Sequence, residues 1–271
     1  GLVALEGLNI LEGFDLSAIA HNSGEHLHLM IEAIKLAFED GRAHVADPEH
    51  HAPPLKELLS RRYAAQARRR IALDRASSHP GGAGATGLGD TTYFAVVDGS
   101  RNVVSFINSL SDAFGSGMVV DATGICLQNR GKYFSLDPDH PNCLAPRKRS
   151  YHTIIPAMIF RRGRPHAAFG VMGGLMQPQG HVQVVVNLVD YGMNLQEAFE
   201  APRFRYLEGK SVALERGISA AAQRFLRARE HKIVGPQGVF FGGGQAVCID
   251  WKQDVLFGAS DPRKDGCALG Y

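Results

Sequence analysis

Short apolar, β-branched runs alternate along this chain with stretches whose apolar residues recur at helical spacing. Phe94–Val97 and Val103–Ile107 flank Asp98-Gly99, which predicts strand, tight turn, strand. With a loop of four or five residues, position 97 pairs with 102 or 103, and Thr91 falls opposite 108 or 109. The hydroxyls of Thr91 and Ser109 then meet at the open end of the hairpin. Upstream, Asn22-Ser23 caps a helix that carries Leu27, Ile31, Ile34 and Phe38 and ends near Gly41. Pro53-Pro54 breaks the chain, and Leu55–Ile71 reads as one basic amphipathic helix. Downstream, Met118–Val120 and Gly124–Leu127 read as short strands, and His152–Phe160 pairs with Ala167–Val171 across an Arg161–Arg164 turn. Gly173-Gly174 leads through Pro178 into a buried apolar helix over His181–Tyr191. Asn194 and Glu197 form a capping pattern for a short helix closed by Pro202. Strands near Val212–Leu214, Val247–Trp251 and Val255–Phe257 and a helix from Ser219 to about Glu230 complete the pattern. Its class is α+β, with antiparallel strand pairs stacked between helical layers.

The segment Ser77–Asp90 is small, glycine-rich and without apolar period. It reads as a linker running straight into a strand, a setting that suits proteolysis. Gly82-Ala-Gly84-Ala-Thr-Gly87 has the form G-x-G-x-x-G, but no strand precedes it and a strand rather than a helix follows, so it is not a dinucleotide turn. Scission of Asp90–Thr91 would give Thr91 a free α-amine of pKa about 7.7–8.0, able to take the proton from its own hydroxyl. Without scission, the same residues are a surface loop entering a hairpin, with Ser109 an edge hydroxyl facing water. Gly173-Gly174 could offer backbone N–H groups to a ligand at a helix start, or could be an ordinary helix-entry turn.

Composition narrows the classes. At 271 residues, 45% hydrophobic and 21% charged, the chain can bury a sizeable core, and a net charge of +2 implies no polyanion partner. The densest basic run, Arg61-Arg62 and Arg68–Arg70, has no interleaved aromatic residues and reads as a solvated helix face, not a nucleic-acid platform. Cys126, Cys143, Cys248 and Cys267 lie far apart with no Cys-x-x-Cys, which argues against a zinc site or a disulfide framework. No 18-residue apolar run marks a membrane span. His21, His26, His28, His44, His50 and His51 are scattered without ligand spacing, and no metal is expected.

Several ordered segments carry a resemblance. Thr91-Thr-Tyr-Phe-Ala-Val-Val-Asp is followed by Phe114-Gly-Ser-Gly, Lys148-Arg149 and Gly173-Gly174. Then come Tyr191-Gly-Met-Asn-Leu-Gln-Glu-Ala, Ala201-Pro-Arg-Phe and Gly258-Ala-Ser-Asp-Pro-Arg. Together they resemble the γ-glutamyltransferases, self-cleaving N-terminal-nucleophile hydrolases, along essentially the whole chain. The resemblance implies a four-layer αββα sandwich and self-cleavage at Asp90–Thr91. Residues 1–90 would be the C-terminal part of the large subunit and residues 91–271 the small catalytic subunit. It also implies Thr91 as nucleophile, Ser109 as the hydroxyl bonded to it, and Gly173 and Gly174 as the oxyanion hole. No metal or organic cofactor is needed. The expected partners are a small-molecule amide and, since the chain opens at Gly1 rather than Met, an upstream part of the large subunit. The compartment stays open between cytoplasm and periplasm.

The substrate side departs from the family. Position 93 is Tyr where His is frequent, and Ser111 stands where an Asn is usual. Arg130 and Tyr133 replace Gln and Asp, and His152-Thr153 replace two Ser. That Asp normally pairs with the substrate's α-amino group, and Tyr133 is not anionic near pH 7. Arg130 and His152 would suit a carboxylate or an acyl oxygen. Ser111, Asn129, Arg130, Tyr133, His152 and Thr153 are therefore expected to bind substrate. The expected activity is that of a γ-glutamyltransferase-like amidohydrolase. The alternatives are an acylase on amides lacking the α-amino group, such as oxamate-like or cephalosporin-type amides, and an unprocessed binding protein.

Overall fold

The computed structural model describes residues 1–79, 89–237 and 240–271, so Gly82–Gly87 of the linker lie outside the described residues. Along the chain come α1 (Leu2–Leu11), α2 (Gly24–His44), α3 (Leu55–Leu58) and α4 (Arg61–Arg68), then the strands β1 (Gly89–Val97) and β2 (Val103–Asp112). Next are β3 (Val119–Val120), β4 (Ile125–Cys126), β5 (Ala157–Arg161), β6 (Arg164–Met172), α5 (Met176–Val189) and α6 (Leu195–Glu200). The chain finishes with β7 (Phe204–Glu208), β8 (Ser211–Leu214), α7 (Ala220–Ala228), β9 (Lys232–Val234), β10 (Gly243–Asp250) and β11 (Val255–Ser260).

Local signals account for most boundaries. Ser23 caps α2 by accepting the His26 N–H, and Asn194 and Glu197 make the reciprocal capping box of α6. Three expectations need correction. α2 continues past Gly41 to His44, because Gly41 is a contact point with α1: a Cβ there would lie 2.4 Å from Val3 Cγ2. The expected helix over Leu55–Ile71 is two helices, because Ser60 turns its side chain onto the Tyr63 N–H and starts α4 afresh. The strand expected from His152 begins only at Ala157, since the Ile155 N–H is taken by Gln177 Oε1 at 2.8 Å and Pro156 has none to offer.

The chain forms two compact units. The first draws on Gly1–Gly87, Asn129–Thr153 and Pro202–Val239. Its centre is α2, whose Leu27, Met30, Ile31, Ile34 and Phe38 are buried against α1, α7 and β7. In its sheet, β8 pairs antiparallel with β7 and parallel with β9.

The second unit draws on Leu88–Gln128, Ile154–Ala201 and Phe240–Tyr271. Its four-stranded antiparallel sheet has the order β11-β10-β6-β5. Alternate residues of β6 face opposite ways. Phe169 and Val171 pack with Val184, Ala198 and Phe199 under α5 and α6, while Met172 packs with Tyr93 and Ile107 of the β1–β2 pair. The unit is therefore layered helix, sheet, sheet.

A buried acid in the first unit yields a stability prediction. Glu6 of α1 is inaccessible to solvent, and burial, with the nearby Asp40 carboxylate second, pushes its carboxyl from 4.5 up to about 10. Between those values the folded chain keeps a proton that the unfolded chain has released, so stability falls as pH rises, by up to about 1.4 kcal/mol per unit. Glu6→Gln has no proton to lose. Urea unfolding at pH 5, 7 and 9 is expected to show the variant's advantage growing with pH, and parallel curves would refute the assignment.

Candidate active site

The β1–β2 hairpin positions the first candidate group. Asp98 closes its turn: the Asn102 N–H donates to Asp98 Oδ1 at 2.8 Å, and Arg101 takes φ 63°. Hydrogen bonds from the Asn102 side chain and backbone hold the Asp98 carboxyl below its ordinary range. The resulting register pairs Val97 with Val103 and Thr91 with Ser109, as loop length predicts. Thr91 Oγ1 and Ser109 Oγ lie 2.9 Å apart, and Ser109 Oγ also accepts the Ser111 N–H at 3.0 Å.

The register breaks directly at the expected scissile bond. Asp90 pairs with Ser111 and Thr91 with Ser109, so Leu110 is an extra residue facing the Asp90–Thr91 peptide. Ser111, buried, adopts φ 82°, a conformation that costs a non-glycine residue on the order of 1–3 kcal/mol. A strained residue thus lies opposite Asp90, beside this peptide bond.

Thr91 is buried in the fold yet lines a cavity of about 860 Å³ together with Tyr93, Met172, Gln245 and Lys264. Tyr93 is what holds β1 against β6. A Cβ on Gly170 would lie 2.4 Å from Tyr93 Cδ2, and the Tyr93 hydroxyl is 2.7 Å from Ser105 Oγ. Position 93, a departure from the family, is here a sheet-packing residue.

Gly173 and Gly174 join Met172 to the start of α5, with φ 130° and 60°. Their carbonyls accept the N–H groups of Met176 and Gln177 at 3.0 and 3.1 Å, which bends the chain sharply into the helix. A Cβ on Gly173 would meet Phe240 Cε1 at 3.1 Å and Gly242 Cα at 3.2 Å. Glycine is required there on both counts. The helix is buried as expected, but it is held through polar groups. Gln177 bonds the Ile155 N–H, and the His181 ring nitrogens lie 2.6 and 2.9 Å from the carbonyls of Gln177 and Ile155.

The remaining expected substrate residues belong to the first unit. Arg130 is buried, and its Nη1 donates to Thr153 Oγ1 at 2.9 Å. Asn129 precedes the helical turn Arg130–Tyr133, and Asn142 Nδ2 donates to the Tyr133 carbonyl at 2.7 Å. His152 is exposed and turns Nδ1 to the Ser150 carbonyl at 2.6 Å. The structure thus joins Arg130 to Thr153 and Thr91 to Ser109 and Ser111, while His152 is engaged locally.

Sequence reading missed one buried polar group. His28, Glu32 and His231 place ligand-type atoms within 4.8 Å of one another. His28 and Glu32 sit one turn apart on α2, a spacing visible in the sequence, but His231 comes from the far side of α7. His28 Nε2 donates to the Ala72 carbonyl at 2.8 Å, so its Nδ1 is the acceptor for the His231 Nε2–H, also at 2.8 Å. Lys35 Nζ holds Glu32 Oε1 at 2.7 Å, and the Ser77 N–H and hydroxyl hold Oε2. Burial pushes His231 down to about 3 and lowers His28. The group is a neutral histidine pair beside a Lys–Glu pair: the His28 Nε2–H pins Ala72 to α2, Glu32 Oε2 pins Ser77, and the His28 Nδ1 lone pair is taken by His231.

The layered sheets and their helical cover have the fold of the N-terminal-nucleophile hydrolases. Within that class the chain belongs to the γ-glutamyltranspeptidase family, which it matches over residues 1–271. It is similar to the glutathione hydrolase-like YwrD proenzyme of Bacillus subtilis, 39% identical across 100% of this chain and 52% of that protein. It is also similar to the oxamate amidohydrolase proenzyme of Klebsiella pneumoniae, 36% identical across 100% of this chain and 52% of that one. Among solved structures it resembles a cephalosporin acylase from Bacillus halodurans. The TM-score is 0.88 at 43% identity, covering 100% of this chain and 49% of that chain. The chain thus spans about half the length of the curated relatives it matches.

Proposed function

We propose that the protein is a γ-glutamyltransferase-like amidohydrolase whose nucleophile is Thr91, freed by self-cleavage into segments 1–90 and 91–271. The observation that carries this reading is the Thr91–Ser109 hydroxyl pair, 2.9 Å apart at the edge of a cavity and beside a bulged strand pairing. In processing, Thr91 Oγ attacks the Asp90 carbonyl and the peptide nitrogen leaves, giving an ester. That shift frees the Thr91 α-amine, which takes up the hydroxyl proton, and water then hydrolyses the ester to an Asp90 carboxylate and a restored Thr91 hydroxyl. In turnover that amine accepts the hydroxyl proton as Oγ attacks an amide carbonyl. The Gly173 and Gly174 N–H groups receive the tetrahedral oxyanion. Collapse expels the leaving amine with the proton held on the Thr91 ammonium, and water or another amine then takes the acyl group.

A second reading, an acylase on amides without the γ-glutamyl α-amino group, is favoured by Arg130 and Tyr133, where the family's amine-pairing acid is missing. Relatives at 35–39% identity divide the same way: one is a glutathione hydrolase-like proenzyme, another an acylase and a third an oxamate amidohydrolase. Kinetics with γ-glutamyl p-nitroanilide and glutaryl p-nitroanilide decide between the two. The primary reading expects kcat/KM higher for the amine-bearing substrate, and equal or reversed values establish the acylase. Intact Asp90–Thr91 in purified full-length protein, with neither anilide turned over, would instead leave a binding protein.

A further inference from the structure

Ile155 is held on both sides by one helix. Its N–H donates to Gln177 Oε1 at 2.8 Å, and His181 Nε2 lies 2.9 Å from its carbonyl. A neighbouring strand would engage both groups through backbone; here two side chains of α5 take its place. Gln177 is inaccessible to solvent, and its Nε2 has no hydrogen-bond partner among the described residues. A buried amide with one half unsatisfied is costly, and an apolar residue of the same size would fill the space without that cost. What Gln177 supplies that an apolar residue could not is the acceptor for Ile155. Both ends of this bond lead to the reacting groups. At one end, the Gln177 N–H donates to the Gly174 carbonyl at 3.1 Å and the Met176 N–H to the Gly173 carbonyl at 3.0 Å, which ties the glycine turn to the start of α5. At the other end, Ile154 packs against Tyr93, Ile107 and Met172. Tyr93 and Ile107 face each other in the hairpin, two residues from the facing pair Thr91 and Ser109.

We propose that Gln177 is a positioning residue: its bond to Ile155 fixes the glycine turn relative to the Thr91 hairpin, and so sets the distance between the nucleophile and the oxyanion donors. This inference rests on the Thr91 reading and adds to it a residue that touches neither substrate nor reacting atoms. His181 braces the same bond, because its Nδ1 lies 2.6 Å from the Gln177 carbonyl and its ring bridges Gln177 and Ile155. The oxyanion forms only as Thr91 Oγ closes on the carbonyl carbon. An error in that distance is therefore felt in the transition state and hardly at all in substrate binding.

The test uses the full-length protein and whichever of the two anilides the wild type hydrolyses faster, with rates expressed per freed Thr91 amine. Gln177→Leu removes the acceptor at similar volume, and Gln177→Glu keeps an oxygen facing the Ile155 N–H. Gln177→Leu is expected to lower kcat about 10- to 100-fold with KM within about twofold. Gln177→Glu is expected to return kcat to within about threefold of wild type. Val184→Ala opens a cavity in the same helix, among Phe169, Val171 and Phe199, and is expected to lower the melting temperature with kcat within about twofold. If Gln177→Leu stays uncut, its missing cleavage is the readout, and Gln177→Glu is expected to restore it. Should Gln177→Glu fail to fold, Gln177→Leu against Val184→Ala decides alone. Full kcat in Gln177→Leu, a loss that appears in KM instead, a folded Glu variant as slow as Leu, or an equal fall in Val184→Ala would overturn the positioning role while leaving Thr91 untouched. A wild-type protein that turns over neither anilide removes the Thr91 reading and this inference together.

Discussion

Thr91→Ala is expected to leave the chain uncut between Asp90 and Thr91 and to abolish amide turnover. In the proposed mechanism one hydroxyl serves both reactions, so both are expected to fail together. In processing there is no oxygen to attack the Asp90 carbonyl, and in turnover there is no atom to carry the acyl group. The residual rate should be that of the other binding groups alone, a loss on the order of 10⁴-fold or more when a covalent nucleophile is removed. Thr91→Ser keeps the oxygen and is expected to retain both activities at reduced rate. Denaturing gels of the full-length protein, N-terminal sequencing for a chain beginning Thr-Thr-Tyr-Phe, and anilide hydrolysis read the two losses separately. Normal cleavage of Thr91→Ala would move the scissile bond elsewhere and remove the hairpin hydroxyl pair from the mechanism.

The second large effect is expected at Gly173. Its φ of 130° is closed to L side chains, and an added Cβ would press on Phe240, Gly242 and Met176 at 3.1–3.2 Å. Gly173→Ala therefore has to rotate the peptide planes on either side, which re-aims the N–H groups proposed to receive the oxyanion. Misplacing one such donor lowers kcat by about 10²–10³. Gly174→Ala is the control. Position 174 has φ 60°, and nothing lies within 4 Å of the added methyl group. The cost there is a left-handed residue, roughly 1–2 kcal/mol of stability, with a much smaller loss of kcat. Steady-state kinetics on the processed protein, with thermal melts alongside, separate the two. Full activity in Gly173→Ala would take the glycine pair out of the oxyanion role.

Particular residues show why some of this was legible and some was not. The Thr91–Ser109 pairing followed from counting outward from Asp98, because an antiparallel ladder carries its register from the turn. The Asn194–Glu197 box was equally readable, since both halves lie within one helical turn. Gly41 misled for the opposite reason: glycine stops many helices, but here it admits the Val3 side chain of another helix, a contact that nothing within α2 announces. The same holds for the strand expected at His152. Its N-terminal half lost the ladder to Gln177, a residue of the following helix whose side chain reaches back to Ile155.

What the linear order of residues determined by itself is the set of short-range structures: the hairpin and its hydroxyl pair, the capped helices, the glycine pair at the strand–helix junction, and membership of a self-cleaving hydrolase family. These depend on periodicity and on hydrogen bonds between near neighbours, which any stretch of chain carries with it. Tertiary structure alone decided that Leu110 bulges against the Asp90–Thr91 peptide, that His231 joins His28 and Glu32, and that Ile155 sits between Gln177 and His181. Each of those outcomes is settled by which distant backbone or side chain comes to lie alongside. The free energy that selects it comes from burial and packing summed over whole layers, and no local window of the chain contains it.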